Sequence, residues 1–180
     1  MTRLATRIHL HLILVALLAN SCTGTLDPSA REPPFFFAVV DGQPWTPTGL
    51  TPNTNAQCQL PDILTFGADH RSADGSALYS LIAVSIEAFH GVGIYQLRGA
   101  SGSYGVYRVL HNLTLDLQFT DSSTTNYVQV TDVDTAAHLV AGTFAFRTVT
   151  HDTVTIISGG AFHLQYDINT RVSNTGWCAK

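Results

Sequence analysis

The side chains that could do chemistry in this 180-residue chain are scattered along it rather than gathered. Beyond His9 and His11, the six histidines are His70, His90, His111, His138, His151 and His163, and none stands at HxH or HExxH spacing. A transition-metal site would therefore have to be assembled by the fold. Asp132-Val-Asp134 is the nearest approach to a paired-carboxylate motif. In an extended chain the two carboxylates share a face, and with Asp121 or a backbone carbonyl they form a candidate calcium site. Local backbone hydrogen bonding in an Asp-rich turn explains the same pair. Asp69 and His70, ahead of Asp74-Gly75, make a second polar segment that could hold an ion.

Nucleophilic catalysis finds no support. There is no GxSxG elbow and no lysine except Lys180. Gly99-Ala100-Ser101-Gly102 reads as a hairpin loop, because no helix follows it to supply an oxyanion hole. The glycine pairs lack a following helix for the same reason, so no phosphate cradle is expected. No catalytic residue is assigned. Binding is easier to accommodate: Trp45, Tyr104 and Tyr107 are candidate platform residues for a glycan or a peptide. The competing reading is that such rings close the core, which is preferred for Trp45.

The elements that must position these groups are strands. Leu113, Leu115, Leu117 and Phe119 alternate with polar neighbours, a period of two that places the apolar set in a core and the polar set in water. Phe162, Leu164 and Tyr166 repeat the pattern, as do Val140, Phe144 and Phe146 around Gly142, and Val128 with Val130. Ile82, Val84 and Ile86, or their neighbours, supply a more buried strand. Asp41-Gly42, Asp74-Gly75, Ser101-Gly102 and Gly159-Gly160 provide turn residues. Strands are expected at 35–40, 43–46, 62–67, 78–86, 92–97, 104–109, 112–119, 125–131, 138–148, 152–157 and 160–166. Thr46–Pro61 reads as a loop, and Asp134 caps a short turn within 132–137. The fold class is all-β, an antiparallel sandwich of jelly-roll-like type, with a closed calycin-like barrel as the alternative.

The N-terminus reads as an address. Arg3 and Arg7 precede an apolar run from Leu10 to Ala19 that ends in Asn20-Ser21-Cys22. That run is shorter than the about 20 residues a membrane helix needs. A charged start, a short apolar core and a small residue before cysteine describe a bacterial lipoprotein signal. Residues 1–21 are thus expected to be removed, Cys22 to carry lipid, 22–34 to serve as a flexible tether, and 35–180 to form one β domain. The remaining chain has seven basic residues against thirteen acidic ones. Without a basic cluster, nucleic acid is an unsuitable partner and covalent lipid is the expected membrane contact. In an oxidising compartment Cys58 and Cys178 are expected to form a disulfide.

Three stretches also carry a family resemblance: Phe37-Ala38-Val39-Val40-Asp41-Gly42-Gln43-Pro44-Trp45, Gly102-Ser103-Tyr104, and Gly142-Thr143-Phe144-Ala145-Phe146 with Val154 to Phe162. In this order they resemble a family of small uncharacterised lipoproteins of Bacteroidetes-type bacteria. The resemblance implies an exported, mostly β domain and supplies no catalytic residues. The expected function is a noncatalytic envelope lipoprotein acting as a binding or accessory module, without a cofactor unless calcium binds. The alternatives are a glycan- or lipid-directed hydrolase using carboxylates and histidines joined by the fold, and a structural subunit of an envelope complex that binds another envelope protein.

Overall fold

Alternation of apolar and polar residues along the chain favours strands, whose successive side chains point to opposite faces. A computed structural model describes residues 33–48, 54–59, 62–74, 76–99, 102–111, 114–150 and 153–168, with the backbone alone at 54–59, 111, 114, 115 and 168. These residues belong to one unit, Pro33–Lys180. The elements are β1 (Phe35–Val40), β2 (Gln43–Trp45), β3 (Thr54–Gln59), β4 (Ile63–Arg71), β5 (Leu78–Ile86), β6 (Gly93–Gln96), β7 (Tyr104–His111), β8 (Thr114–Phe119), β9 (Tyr127–Asp134), β10 (Leu139–Thr150) and β11 (Thr153–Ile168).

They form two antiparallel sheets packed as a sandwich, and neither closes into a barrel. Sheet one runs β6-β9-β10-β11-β1-β2, and sheet two runs β3-β4-β5-β7-β8. The long β11 joins them: most of it pairs with β10 and β1, while Tyr166–Ile168 pair in parallel with Ala56–Cys58 of β3. A bridge between Thr120 and Thr148 links the sheets again beyond β8.

The core lies between the sheets. Phe66 of sheet two stacks on Phe162 of sheet one at 4.1 Å between ring centroids, and Phe144 packs beside both. All three are 1% exposed or less, and burying each phenyl contributes roughly 1.5–3 kcal/mol. Gly160 makes this packing possible, since a Cβ there would lie 2.5 Å from the Phe144 ring. Asp41 and Gly42, at φ 47° and 80°, form the tight β1–β2 turn expected of Asp-Gly.

Four expectations are corrected. Thr46–Pro61 is not wholly loop: β3 forms within it, because pairing on both sides satisfies its backbone whatever the polarity of its side chains. Gly159-Gly160 does not separate two strands. Gly159, at φ 55°, sits in a bulge where Phe144 pairs with Gly160 and Phe146 with Ile157, so β11 continues. In β8 the alternation holds but its direction is reversed, with Leu117 and Phe119 facing outward and Gln118 buried. The buried Gln118 Oε1 accepts a 2.9 Å hydrogen bond from Thr148 Oγ1, so polar stitching between sheets decides the facing. Finally, no disulfide is present among the described residues, which corrects the expected Cys58–Cys178 bond. Cys178 and the side chain of Cys58 lie outside those residues, as does Cys22.

Candidate functional site

Strand register brings three charged residues together on the outer face of sheet two. Phe66, Ala68 and Ile82 point into the core, so Gly67, Asp69, Leu81 and Ala83 point the other way. Asp69 pairs with Leu81, and Leu81 in turn with Arg108, which aligns an acid and a guanidinium across β4, β5 and β7. Arg71 joins them because it stands two residues beyond Asp69 on β4 and so shares its face. A hollow of about 280 Å³ lies here, with Thr65, Gly67, Asp69, Arg71, Leu81 and Arg108 among its walls.

Gly67 keeps the floor low. A Cβ at this position would stand 2.6 Å from the Ile82 carbonyl oxygen and 2.9 Å from Ala83 Cα. Leu81 and Ala83 make the floor apolar, while the charges stand at its margin. Arg71 donates through Nε and Nη2 to Asp69 Oδ2 at 3.0 and 2.7 Å, and the Asp69 carboxylate is largely buried. Arg108 differs: its Nε is buried without a hydrogen-bond partner, and among the described residues its guanidinium forms no ion pair. A buried donor left unpaired costs about 1–3 kcal/mol, and more on a charged group. Chemically, the hollow can receive an oxyanion at Arg108 and an apolar or sugar C–H surface on its floor. It holds no described histidine and no paired carboxylates.

The aromatic candidates do not form one exposed platform: Trp45 and Tyr107 both hydrogen-bond to Ser80 at the core, and Tyr104 stands apart. Trp45 is 7% exposed, meets Phe36 edge-on at 6.0 Å and donates to Ser80 Oγ, so it closes the core. Tyr104 and Tyr107 stand on opposite faces of β7. Tyr104 packs edge-on against Phe119 at 5.7 Å, whereas Tyr107 packs against the core. Burial pushes the Tyr107 phenol above its usual value, and the charge of Asp41 adds to the effect.

The carboxylates are also apart. Asp132 and Asp134 lie on β9 as extended neighbours, and Asp134 Oδ1 caps the turn by accepting from the Ala136 and Ala137 amides at 2.9 Å each. Asp121 belongs to the other end of β9, where Asn126 Nδ2 and Ser123 N donate to it and Arg147 Nε forms an ion pair with it. The Asp74 carboxyl is lowered to about 2 by the Ser72 hydroxyl and by the Ser76 amide and hydroxyl. His70 Nδ1 is 3.1 Å from the Thr46 carbonyl oxygen, and His90 Nδ1 is 3.0 Å from that of Ala88. His138 faces Tyr166 and His163 faces Phe35. The side chain of His111 and all of His151 lie outside the described residues. Among the described residues no three His, Cys, Asp or Glu side chains gather to hold a metal.

Sequence reasoning reached Asp69 but not Arg71 or Arg108. The available signal was Arg108 inside the strand expected at 104–109, a position where a charge needs a reason; Arg71 lay beyond the strand expected at 62–67, which the structure extends to Arg71. No protein-family model, curated protein or solved structure matches this chain.

Proposed function

We propose that the chain is an envelope lipoprotein, anchored through Cys22, whose β domain is a noncatalytic binding module for a carboxylate-bearing glycan held in the Arg108 hollow. The observation that carries this reading is the unpartnered, buried Arg108 Nε beside the Asp69–Arg71 pair. Asp69 neutralises Arg71, which leaves Arg108 as the positive group a ligand anion meets. The apolar floor of Leu81 and Ala83 suits the C–H face of a sugar ring. The signal-like start at Arg3 to Cys22 supports the envelope address.

Calorimetric titration of residues 23–180 with a uronate-containing oligosaccharide tests it, with its neutral counterpart and inorganic phosphate as comparison arms. Binding is expected for the acidic sugar, weakening with salt and falling about tenfold or more in Arg108→Gln, the equivalent of one charged hydrogen bond. Equal binding of the neutral sugar, or an unaffected Arg108→Gln variant, sinks the reading. Binding of phosphate alone moves the ligand class to free anions.

A further inference from the structure

Cross-strand register orders the outer face of sheet two into three rows that run from β4 toward the edge strand β8. One row is Asp69–Leu81–Arg108–Leu117, the next is Gly67–Ala83–Val106–Phe119, and the third is Thr65–Ser85–Tyr104. The first carries the charges, the second has no polar side chain, and the third carries three hydroxyls. The hollow occupies the β4 and β5 part of these rows, and Arg108 is its wall on the β7 side. Beyond that wall the middle row stays low at Val106, 7% exposed, and then rises to Phe119, 36% exposed, whose ring meets Tyr104 edge-on at 5.7 Å. Leu117, next to Phe119 on the same face, is 48% exposed. Neighbouring strands stand about 4.8 Å apart, so Phe119, two strands from Ala83, lies about 10 Å away from it. A pair of linked pyranose units spans a similar length.

We infer that the binding site continues past the hollow: an acidic sugar sits at Arg108, and the glycan runs on over Val106 to a neutral sugar held by the Phe119–Tyr104 pair. The inference rests on the glycan reading of the hollow and sharpens the ligand class. Charge sets the composition. Among the described residues the outer face of sheet two carries two cations, Arg71 and Arg108, and Asp69 occupies Arg71. A second carboxylate over Val106 or Phe119 would be stripped of water without meeting a cation, a cost that only pairing offsets. An aromatic ring suits the C–H face of an uncharged pyranose instead, and Thr65, Ser85 and Tyr104 set hydroxyls along one flank of the path. The ligand is therefore a glycan in which acidic and neutral residues alternate, rather than a polyuronate. Phe119 is the residue that makes this distinction, and Arg108 fixes the register of the chain.

Titration of residues 23–180 at fixed salt with methyl glucuronide, with a hexasaccharide alternating glucuronate and N-acetylglucosamine, and with hexagalacturonate tests the extension. The alternating chain is expected to bind at least about tenfold more tightly than methyl glucuronide, and hexagalacturonate more weakly than the alternating chain. Phe119→Leu keeps apolar bulk on the edge strand but no ring, and is expected to remove that gain while leaving methyl glucuronide binding unchanged. Phe119→Tyr restores the ring and is expected to keep the gain. The inference is overturned if the alternating chain binds no better than methyl glucuronide, if hexagalacturonate matches it, or if Phe119→Leu binds the alternating chain as wild type does. Equal weakening of both sugars in Phe119→Leu also overturns it, since that marks a structural role. These results leave the hollow itself standing so long as Arg108→Gln weakens methyl glucuronide. Binding of none of the three sugars, or binding indifferent to Arg108→Gln, sinks the glycan reading and this extension with it.

Discussion

Trp45 donates its indole N–H to Ser80 Oγ at 2.8 Å, and this buried bond between residues 35 positions apart ties the β1–β2 ribbon of sheet one to β5 of sheet two. Trp45 looked like a ligand platform as well as a core residue, and its position explains why the second role prevails. Trp45→Phe keeps most of the apolar volume but removes one of the two side-chain hydrogen bonds of buried Ser80, the other being to Tyr107. Urea unfolding is expected to report a loss of about 1–3 kcal/mol, and Ser80→Ala combined with Trp45→Phe to cost less than the sum of the two single changes.

Gly67→Ala tests the close approach of β4 and β5. The added methyl meets backbone atoms of Ile82 and Ala83 rather than a mobile side chain, so the strands must separate. A loss of about 1–3 kcal/mol is expected in denaturant unfolding, together with weaker ligand binding because the floor of the hollow rises.

Asp121 gives an acid dependence with a defined sign. Burial alone would raise its carboxyl, but the Ser123 amide, the Arg147 guanidinium and the Asn126 amide outweigh burial and hold it below the usual 3.8. A depressed folded value contributes stability above the unfolded value, lost as pH falls through the folded one. Asp121→Asn is expected to shallow the decline in melting temperature below pH 4. At pH 7 its cost is expected to stay within about 1 kcal/mol, because Arg147 is half exposed.

The tyrosines set the alkaline limit. Burial raises Tyr95, Tyr107 and Tyr166 above 10.0, so the folded state retains protons that the unfolded chain releases. The stability from each is complete below pH 10 and is lost as pH rises through the folded values. Tyr107→Phe is expected to lessen the slope of stability against pH above 10, as measured by unfolding at fixed temperature.

Much of the architecture was legible because burial and strand period coincide. The Phe162-Leu164-Tyr166 and Val128-Val130 alternations point inward as their hydrophobicity dictates. Asp41-Gly42 turns where it must, since both residues take positive φ. β8 shows the limit: Leu115, Leu117 and Phe119 have a clear period, yet period alone does not say which face is inside. Gln118 settles that through Thr148, a partner 30 residues away. β3 escaped notice because Thr54 to Gln59 has no strong apolar alternation and is held by backbone pairing to β4 and β11. The hollow was hidden for a related reason. Asp69, Leu81 and Arg108 become neighbours only through cross-strand register, which a linear pattern does not contain.

Backbone amide chemical-shift mapping during titration with the uronate-containing oligosaccharide tests the central claim most directly. The account predicts saturable shifts centred on Gly67, Asp69, Leu81, Ala83 and Arg108, absent with Arg108→Gln. Shifts centred instead on Phe37, Ala161 and Thr143, or no saturable shifts at millimolar sugar, would contradict it.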